Sequence, residues 1–375
     1  MTRALMLALW AVFVLIAHPS QAQQQLLVVG VIQALSGPAA PYGVSGRNGL
    51  ELAAAEINAK GGLLGGRLLY LAVEDSAGVP SRAFEAAKRL IERNRVPLII
   101  GPTLSTEMLT VGPIGNEYRV PVISSSATAV WITDIGPYVF STALPASDVI
   151  PVQMRAAEKR FGINTAALMY GTDDAFTNSE ADVFRREMES LGIRILATET
   201  FRNRDSDFSA QLTRIKELNP DAVAVAAHVE PAAHILMQAR KIGLPPSMLF
   251  IGGDGFNSPR LIDIAGAAAD GVIVSSPWFP GPGDPASASF IEAYRAKYGR
   301  EPDQFAARAY DTLYLVASAI NLVGNTDGEA VRTALMQTRH EGVMGPFWFS
   351  PRRKPGSAEN VAVLVIKEGR FTDLE

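Results

Sequence analysis

The chain has 375 residues, and none of them is cysteine. This absence excludes disulfide bonds, thiol catalysis and a lipid-anchored cysteine at an export cleavage site. The fold must therefore rely on its hydrophobic core, and a chain of this length can bury one that is large enough. At about 150 residues per domain, the length predicts two domains.

An excess of positive charge is also lacking. The chain carries 34 Lys and Arg against 38 Asp and Glu, which gives a formal net charge of −4. No run of basic residues reaches the density of a nucleic-acid-binding motif. The charge pattern therefore argues against a nucleic-acid partner.

Catalytic and metal-binding motifs are missing as well. There are four histidines, and His228 and His234 do not have the spacing of a zinc-binding helix. The sequence contains no P-loop and no nucleophile elbow, and its glycines at 43–49 ("GVSGRNG") are interpreted as a loop that enters a helix. Serine hydrolysis from the run 124–126 would need His228 as its base. The sequence therefore predicts a protein that is not an enzyme and has no metal site or cofactor.

The N-terminus holds one long apolar run, at residues 4–17, preceded by Arg3 as its single charge. The run is shorter than the ~18 residues of a membrane span, and Ser20 and Ala22 supply the small residues of a cleavage site. We therefore predict a cleaved signal peptide over residues 1–22. An uncleaved membrane anchor is the alternative.

Short apolar runs alternate with helical segments along the rest of the chain. A segment with turn-forming residues at 140–148 separates two series of this kind. Alternation of strands and helices predicts parallel sheets with helices on both faces. The predicted strands are 26–32, 68–75, 96–101 and 120–124 in the first series and 165–171, 194–201, 221–228 and 248–253 in the second.

The predicted fold therefore consists of two doubly wound α/β lobes. The Pro- and Gly-rich segment 277–285 is interpreted as the return of the chain from the second lobe to the first, and a last strand follows near residue 362. We assign lobe 1 to residues 23–147 and 277–355, and lobe 2 to residues 148–276 and 356–375.

Two loops of the first series carry free hydroxyl groups, namely 101–107 ("GPTLSTE") and 124–129 ("SSSATA"). Ligands of doubly wound sheets bind beyond the carboxyl ends of the strands, where helices begin. Backbone amides and hydroxyl groups at a helix start bind an anion without a cationic side chain. Helix capping is the better explanation of each loop taken singly, but two such loops on adjacent strands favour an anion-binding cradle.

Six sequence phrases occur in the order typical of one protein family. They are "LSGPAAPYG", "LAAAEINAKGGLLGGRL", "VPVISSSATA", "DFSAQLTRIKELNPDAV", "GGDGFNSPRLIDIAG" and "YGREPDQFAARAYD". Between about residue 26 and residue 345 the chain resembles the periplasmic substrate-binding proteins of ABC transporters, in the leucine/isoleucine/valine-binding branch of the type I fold. The resemblance implies two lobes that are joined by three hinge crossings and close over a small ligand.

The same resemblance implies a binding site between the lobes. Ser105, Ser126 and Thr128 would hold the ligand carboxylate, and Asp254 of "GGDGF" would face its ammonium group. Without the resemblance, Asp254 is equally a turn residue between glycines. Other residues that the resemblance places around the ligand are Tyr42, Ala127, Phe176 and His228.

The function implied is that of a periplasmic, monomeric binding protein that carries a neutral, hydrophobic amino acid to ABC permease subunits. The predicted loops contain no lysine or arginine, so we expect the ligand to supply the cation for Asp254. Phe176, His228 and Trp131 depart from the family pattern, although Trp131 is equally explained by packing on the lobe surface. These departures leave an aromatic or other amine-free carboxylate open as the ligand, and a ligand-sensing receptor as a second alternative function.

Overall fold

A computed structural model describes residues 26–280, 284–356 and 361–374. The predicted signal peptide lies outside the described residues. Within these three ranges no helix is both long enough and apolar enough to cross a membrane.

Strands and helices alternate as the sequence predicts. The strands are β1 (Leu27–Gln33), β2 (Leu69–Asp75), β3 (Ile99–Ile100), β4 (Val122–Ser124), β5 (Val139–Ser141), β6 (Thr165–Gly171), β7 (Arg194–Phe201), β8 (Ala222–Ala226), β9 (Leu249–Gly252), β10 (Ile273–Ser276), β11 (Arg339–Gly342), β12 (Gly345–Trp348), β13 (Ala362–Lys367) and β14 (Arg370–Asp373). The helices are α1 (Ala40–Ala59), α2 (Pro80–Lys88), α3 (Ser105–Tyr118), α4 (Ala146–Phe161), α5 (Ala175–Ser190), α6 (Ser209–Leu218), α7 (Val229–Lys241), α8 (Pro259–Ala265), α9 (Pro285–Tyr298), α10 (Gln304–Val323) and α11 (Gly328–Gln337).

The strands form two main sheets, one for each lobe. The sheet of lobe 1 is parallel and has the order β2-β1-β3-β4-β5. The sheet of lobe 2 has the order β14-β13-β10-β9-β8-β6-β7, in which β13 and β14 pair antiparallel. The predicted α/β class is therefore confirmed, with an antiparallel edge on the second sheet.

Both sheets are covered by helices on their two faces. All five residues of β8 are buried, which explains why the sequence there shows no alternation of apolar and polar residues. Helix α10 packs along α1 and places Leu313 and Ile320 in the core of lobe 1. These layers position the carboxyl ends of the strands of both lobes toward the space between them.

The chain crosses between the lobes three times. It leaves lobe 1 after β5, returns after β10 into α9, and enters the second sheet again as β13. We propose that the lobe boundaries lie at these three crossings.

The glycines at 43–49 lie inside α1 and not in a loop, so that interpretation of the sequence was wrong. A Cβ atom at Gly43 would lie 2.0 Å from the carbonyl oxygen of Ala34, and one at Gly49 would lie 2.1 Å from that of Ala306. Glycine is used here because the helix approaches neighbouring backbone closely. Its cost in helix propensity is outweighed by tertiary packing.

Candidate ligand-binding site

A cavity of about 300 Å³ lies between the lobes, at the carboxyl ends of the strands. We call it the cleft. Seven of the eight residues predicted from the sequence line it, together with four others that the sequence analysis did not single out. The lining residues are Tyr42, Thr103, Leu104, Ser105, Ser126, Ala127, Phe176, His228, Asp254, Gly255 and Phe305.

Helix α3 begins on the lobe 1 side of the cleft. Ser105 is its first residue and is 1% exposed. The Ser105 hydroxyl oxygen accepts a hydrogen bond from the backbone N–H of Ala129 at 3.3 Å, so its proton can be donated into the cleft. The helix N-terminus adds partial positive charge, which suits this side of the cleft to a carboxylate.

The second predicted loop, 124–129, does not lead into an α-helix, and that part of the prediction was wrong. Only a short 3-10 turn follows, at Ile132–Ile135. The Ser126 hydroxyl donates to the carbonyl oxygen of Thr103 at 2.7 Å, and the Ser124 hydroxyl donates to that of Pro102 at 3.1 Å. The serines of this loop therefore connect it to the first loop by hydrogen bonds. Of the two loops, only the first leads into the N-terminus of an α-helix, that of α3.

Thr128 and Trp131 are absent from the cleft lining. The Thr128 side chain is buried, and its hydroxyl has no partner within the described protein. Its carbonyl oxygen accepts a bond from the backbone N–H of Ala146 at 2.9 Å, which ties the loop to the first residue of α4. Trp131 packs against the core of lobe 1, which agrees with the packing interpretation of this residue.

Tyr42 of α1 joins the two lobes. Its hydroxyl donates to the carbonyl oxygen of Gly255 at 2.9 Å and accepts from the backbone N–H of Val229 at 2.7 Å. The Tyr42 ring lies 4.9 Å from that of Phe305, and burial raises the pKa of the phenol well above its usual value. The lobes are therefore closed on each other in this structure.

The lobe 2 side of the cleft is acidic. Asp174 caps α5 and accepts a hydrogen bond from the hydroxyl of Thr106 at 2.7 Å, across the cleft. Burial raises the pKa of Asp174, but hydrogen bonds from His228 and Thr106 outweigh this effect and lower the pKa to about 2. The His228 ring lies 5.1 Å from that of Phe176. Asp174 is therefore ionised, and its carboxylate is already hydrogen-bonded by groups of the protein itself.

Glu180 of α5 is a site residue that the sequence analysis missed. Its carboxylate oxygen Oε1 accepts the backbone N–H of Asp254 at 2.8 Å. Burial raises the pKa of Glu180 well above its usual range, and the negative charge of Asp254 adds to the rise. Burial therefore favours the neutral form of Glu180, and its carboxyl group positions Asp254. Nothing in the sequence separated it from the other glutamates of its helix.

Asp254 faces the cleft, but it is not without a cation. The Arg308 atom Nη2 lies 3.5 Å from both carboxylate oxygens, and the Gln304 amide donates to one of them at 3.1 Å. The loops themselves supply no basic side chain, but the expectation that the cation for Asp254 must come from the ligand was wrong, because Arg308 supplies one. Arg308 belongs to α10 of lobe 1, outside the loops that were considered.

The profile of the family described as Periplasmic binding protein matches residues 27–370. The Leu/Ile/Val-binding protein BraC3 of Rhizobium johnstonii is 30% identical over 312 residues, which cover 82% of this chain and 83% of that protein. These matches show that the resemblance inferred from the six phrases is correct.

Solved structures agree with this assignment. The branched-chain amino acid transporter substrate-binding protein LivJ of Streptococcus pneumoniae, in complex with isoleucine, superposes with a TM-score of 0.86 at 28% identity over 92% of this chain and 98% of that one. A Rhodopseudomonas palustris solute-binding protein in complex with 3,4-dihydroxybenzoic acid has the same fold, with a TM-score of 0.84 at 24% identity over 93% and 95%.

The matching family is one of binding proteins, in agreement with the prediction that the chain is not an enzyme. The chain belongs to the Periplasmic binding protein family.

Proposed function

We propose that the protein is the periplasmic solute-binding component of an ABC importer and that its ligand is a neutral amino acid with an apolar side chain. A signal peptide at residues 1–22 would export it. The observation that carries the proposal is the opposition of two charge environments in one cleft. The N-terminus of α3 with Ser105 faces a carboxylate, and Asp254 faces an ammonium group.

The walls between these two ends are apolar and aromatic. Tyr42, Phe176, His228 and Phe305 line the cleft. An amino acid with an aliphatic or aromatic side chain suits this polarity. The name of the Rhizobium relative, a Leu/Ile/Val-binding protein, supports the same class.

The balance of charge also favours a zwitterion. Asp254 and Arg308 together carry no net charge, and a zwitterionic ligand adds none. A monoanion would add one negative charge beside Asp174 and Asp254, and burying a charge without compensation is costly.

A second candidate is an amine-free carboxylate such as an aromatic acid. The Arg308 guanidinium, whose side chain is 1% exposed, already gives Asp254 a cation. The Asp254 carboxylate is therefore not unpaired when the ligand lacks an amine. The two candidates differ only in the group that faces Asp254.

The test compares leucine with 4-methylpentanoate, which is leucine without its ammonium group, by calorimetry. We expect wild type to bind leucine more tightly. Asp254→Asn removes a bond to a charged group worth ~1.5–3 kcal/mol, so leucine affinity should fall by about one to two decades. The affinity for 4-methylpentanoate should stay the same or rise.

The matched control is Asp263→Asn, which changes an exposed aspartate of the same lobe. It should leave both affinities unchanged. A wild-type preference for 4-methylpentanoate would reject the amino acid and support the second candidate. Benzoate, measured alongside, would then show whether an aromatic acid binds better still.

A further inference from the structure

Two helices of lobe 2 have their N-termini beside the cleft. They are α5, whose first residue is Ala175, and α7, whose first residue is Val229. The first N–H groups of a helix have no partner within the helix, so a cap, water or another group must pair with them. In the closed protein, both of these first N–H groups are paired by side chains of lobe 1.

The N-terminus of α5 is capped from both lobes. Within lobe 2, oxygen Oδ1 of Asp174 accepts the N–H groups of Phe176 and Thr177 at 2.9 and 3.2 Å. The N–H of Ala175 instead donates to the hydroxyl of Thr106, in lobe 1, at 3.0 Å. The same hydroxyl donates to the other carboxylate oxygen of Asp174, Oδ2, at 2.7 Å. One oxygen of Asp174 therefore binds its own helix, and the other binds the opposite lobe.

The N-terminus of α7 shows the same arrangement. The N–H of Val229 donates to the hydroxyl of Tyr42, which also belongs to lobe 1, at 2.7 Å. The cap residue of α7 is His228, and its Nε2 lies 3.4 Å from Oδ1 of Asp174. Lobe 1 therefore supplies one hydroxyl to the first N–H group of each helix.

We propose that closure of the lobes completes the caps of α5 and α7, and that Thr106 is a positioning residue for ligand binding. When the lobes separate, the N–H of Ala175 loses its acceptor and Asp174 loses one donor. Water takes over both bonds in the open protein, and the net gain on closure is larger because one acceptor is charged. Closure is therefore favoured even in the ligand-free protein.

The contact of Thr106 lies next to the cleft on both lobes. Thr106 follows Ser105, and Ala175 precedes Phe176, and it is Ser105 and Phe176 that line the cleft. A ligand between the lobes and the contact of Thr106 both favour the closed state, so each strengthens the other. The effect of Thr106 on leucine affinity rests on the proposed function, whereas its effect on the ligand-free protein does not.

The experiment compares Thr106→Val, which keeps the shape of the side chain without its hydroxyl, with Thr106→Ser, which keeps the hydroxyl. Because the chain has no cysteine, spin labels can be attached through Glu85→Cys in lobe 1 and Glu189→Cys in lobe 2, which are exposed positions. Pulsed electron paramagnetic resonance then gives the distribution of distances between the lobes.

We expect the ligand-free protein to contain a closed population. Its ratio of closed to open molecules should fall by about tenfold or more in Thr106→Val, the scale of one hydrogen bond to a charged group. Calorimetry should show a fall of similar size in leucine affinity. Thr106→Ser should resemble wild type in both measurements, which a purely steric role of the side chain does not predict.

Thr110→Val is the matched control. Thr110 lies one turn further along α3, and its hydroxyl donates within lobe 1 to the carbonyl oxygen of Glu107 at 2.9 Å. Its removal should alter neither the distances nor the affinity. Ser105→Ala, on the lobe 1 side of the cleft, should lower leucine affinity without changing the distances in the ligand-free protein.

Three outcomes would overturn the proposal. They are a ligand-free protein without a closed population, a ratio of closed to open molecules that Thr106→Val does not change, and a loss of leucine affinity in that variant with unchanged ligand-free distances. The last would show that Thr106 contacts the ligand. If Thr106→Val does not fold, Tyr42→Phe decides, since it removes the corresponding bond to α7 and should lower the same ratio. A ratio that falls as expected in a protein that does not bind leucine would support the proposal while rejecting the proposed function.

Discussion

The two sides of the cleft solve the recognition of charge in different ways. The lobe 1 side uses the N-terminus of α3 and the hydroxyl of Ser105, and needs no charged side chain. The lobe 2 side brings three carboxyl groups together, those of Asp174, Glu180 and Asp254. Two of the three already have partners within the protein, because Asp174 is paired with His228, and Glu180 accepts a hydrogen bond from the backbone of Asp254.

This difference shows that the number of acidic residues in a site says little about its binding charge. Environment gives each carboxyl group a different state: hydrogen bonds lower the pKa of one, and burial raises that of another. Of the three, only Asp254 lines the cleft, and Arg308 lies 3.5 Å from its carboxylate. The lobe 1 side, with no carboxylate in the cleft lining, has the simpler recognition chemistry.

The largest effect on ligand affinity is expected when the contact between the two sides of the cleft is removed. Tyr42→Phe leaves the carbonyl of Gly255 and the N–H of Val229 without their partner in the closed state only. At ~1–2 kcal/mol for each unsatisfied group, affinity for leucine should fall by about two decades. Calorimetry measures this fall, and small-angle scattering should show a larger radius of gyration for the ligand-free variant.

Tyr118→Phe is the matched control for this change. Tyr118 is exposed and its hydroxyl donates to Glu92, so its removal should alter neither affinity nor radius. Unchanged closure and affinity in Tyr42→Phe would show that the bridge between the lobes does not contribute to binding.

A smaller effect on ligand affinity is expected from a change on the lobe 1 side of the cleft. Ser105→Ala removes one hydrogen bond to a carboxylate, worth ~1.5–3 kcal/mol, so affinity should fall by about one to two decades. The fall should be equal for leucine and 4-methylpentanoate, since both carry the carboxylate. Calorimetry with both ligands checks this, with the exposed Ser190→Ala as control. A loss for leucine alone would mean that Ser105 contacts the ammonium group.

The smallest expected effect concerns Glu180. Because its folded-state pKa is raised, its contribution to stability is full at about pH 4 and is lost as pH rises toward the folded pKa. Glu180→Gln keeps the acceptor for Asp254 without that loss. The melting temperature of the variant should match wild type near pH 4 and exceed it at pH 8 by about 2 °C, the shift expected for ~1 kcal/mol.

The exposed Glu189→Gln in the same helix should show no such difference with pH. Leucine affinity should be nearly unchanged in Glu180→Gln, because Glu180 does not line the cleft. A large loss of affinity would show that Glu180 is ionised in the closed protein.

The fold was largely predictable because each strand of the core reads as one apolar run. The predicted ranges of β6 and β7 coincide with the observed ones. The start of α1 was missed because its glycines are required by close packing against Ala34 and Ala306. That requirement arises only after the chain has folded.

The lining of the cleft was predictable where it depends on loops that follow strands, as for Ser105, and the resemblance to the family added Asp254. It was not predictable where a long helix brings a side chain from another part of the chain. Arg308 is 54 positions from Asp254, and Glu180 is 74 positions from it. No local pattern of sequence marks either residue as a neighbour of the loop that contains Asp254.

Under the proposed function, the bridge formed by Tyr42 has a consequence for the amount of solute imported. Its two hydrogen bonds need no ligand, so they favour closure of the empty protein as well as the loaded one. A ligand adds only its differential affinity to a population that is partly closed already. Empty closed molecules would compete with loaded ones for the permease, so the yield of imported solute per docking event would fall when the solute is scarce. A stronger bridge would therefore raise the binding affinity but also increase the number of unproductive encounters between empty protein and the permease.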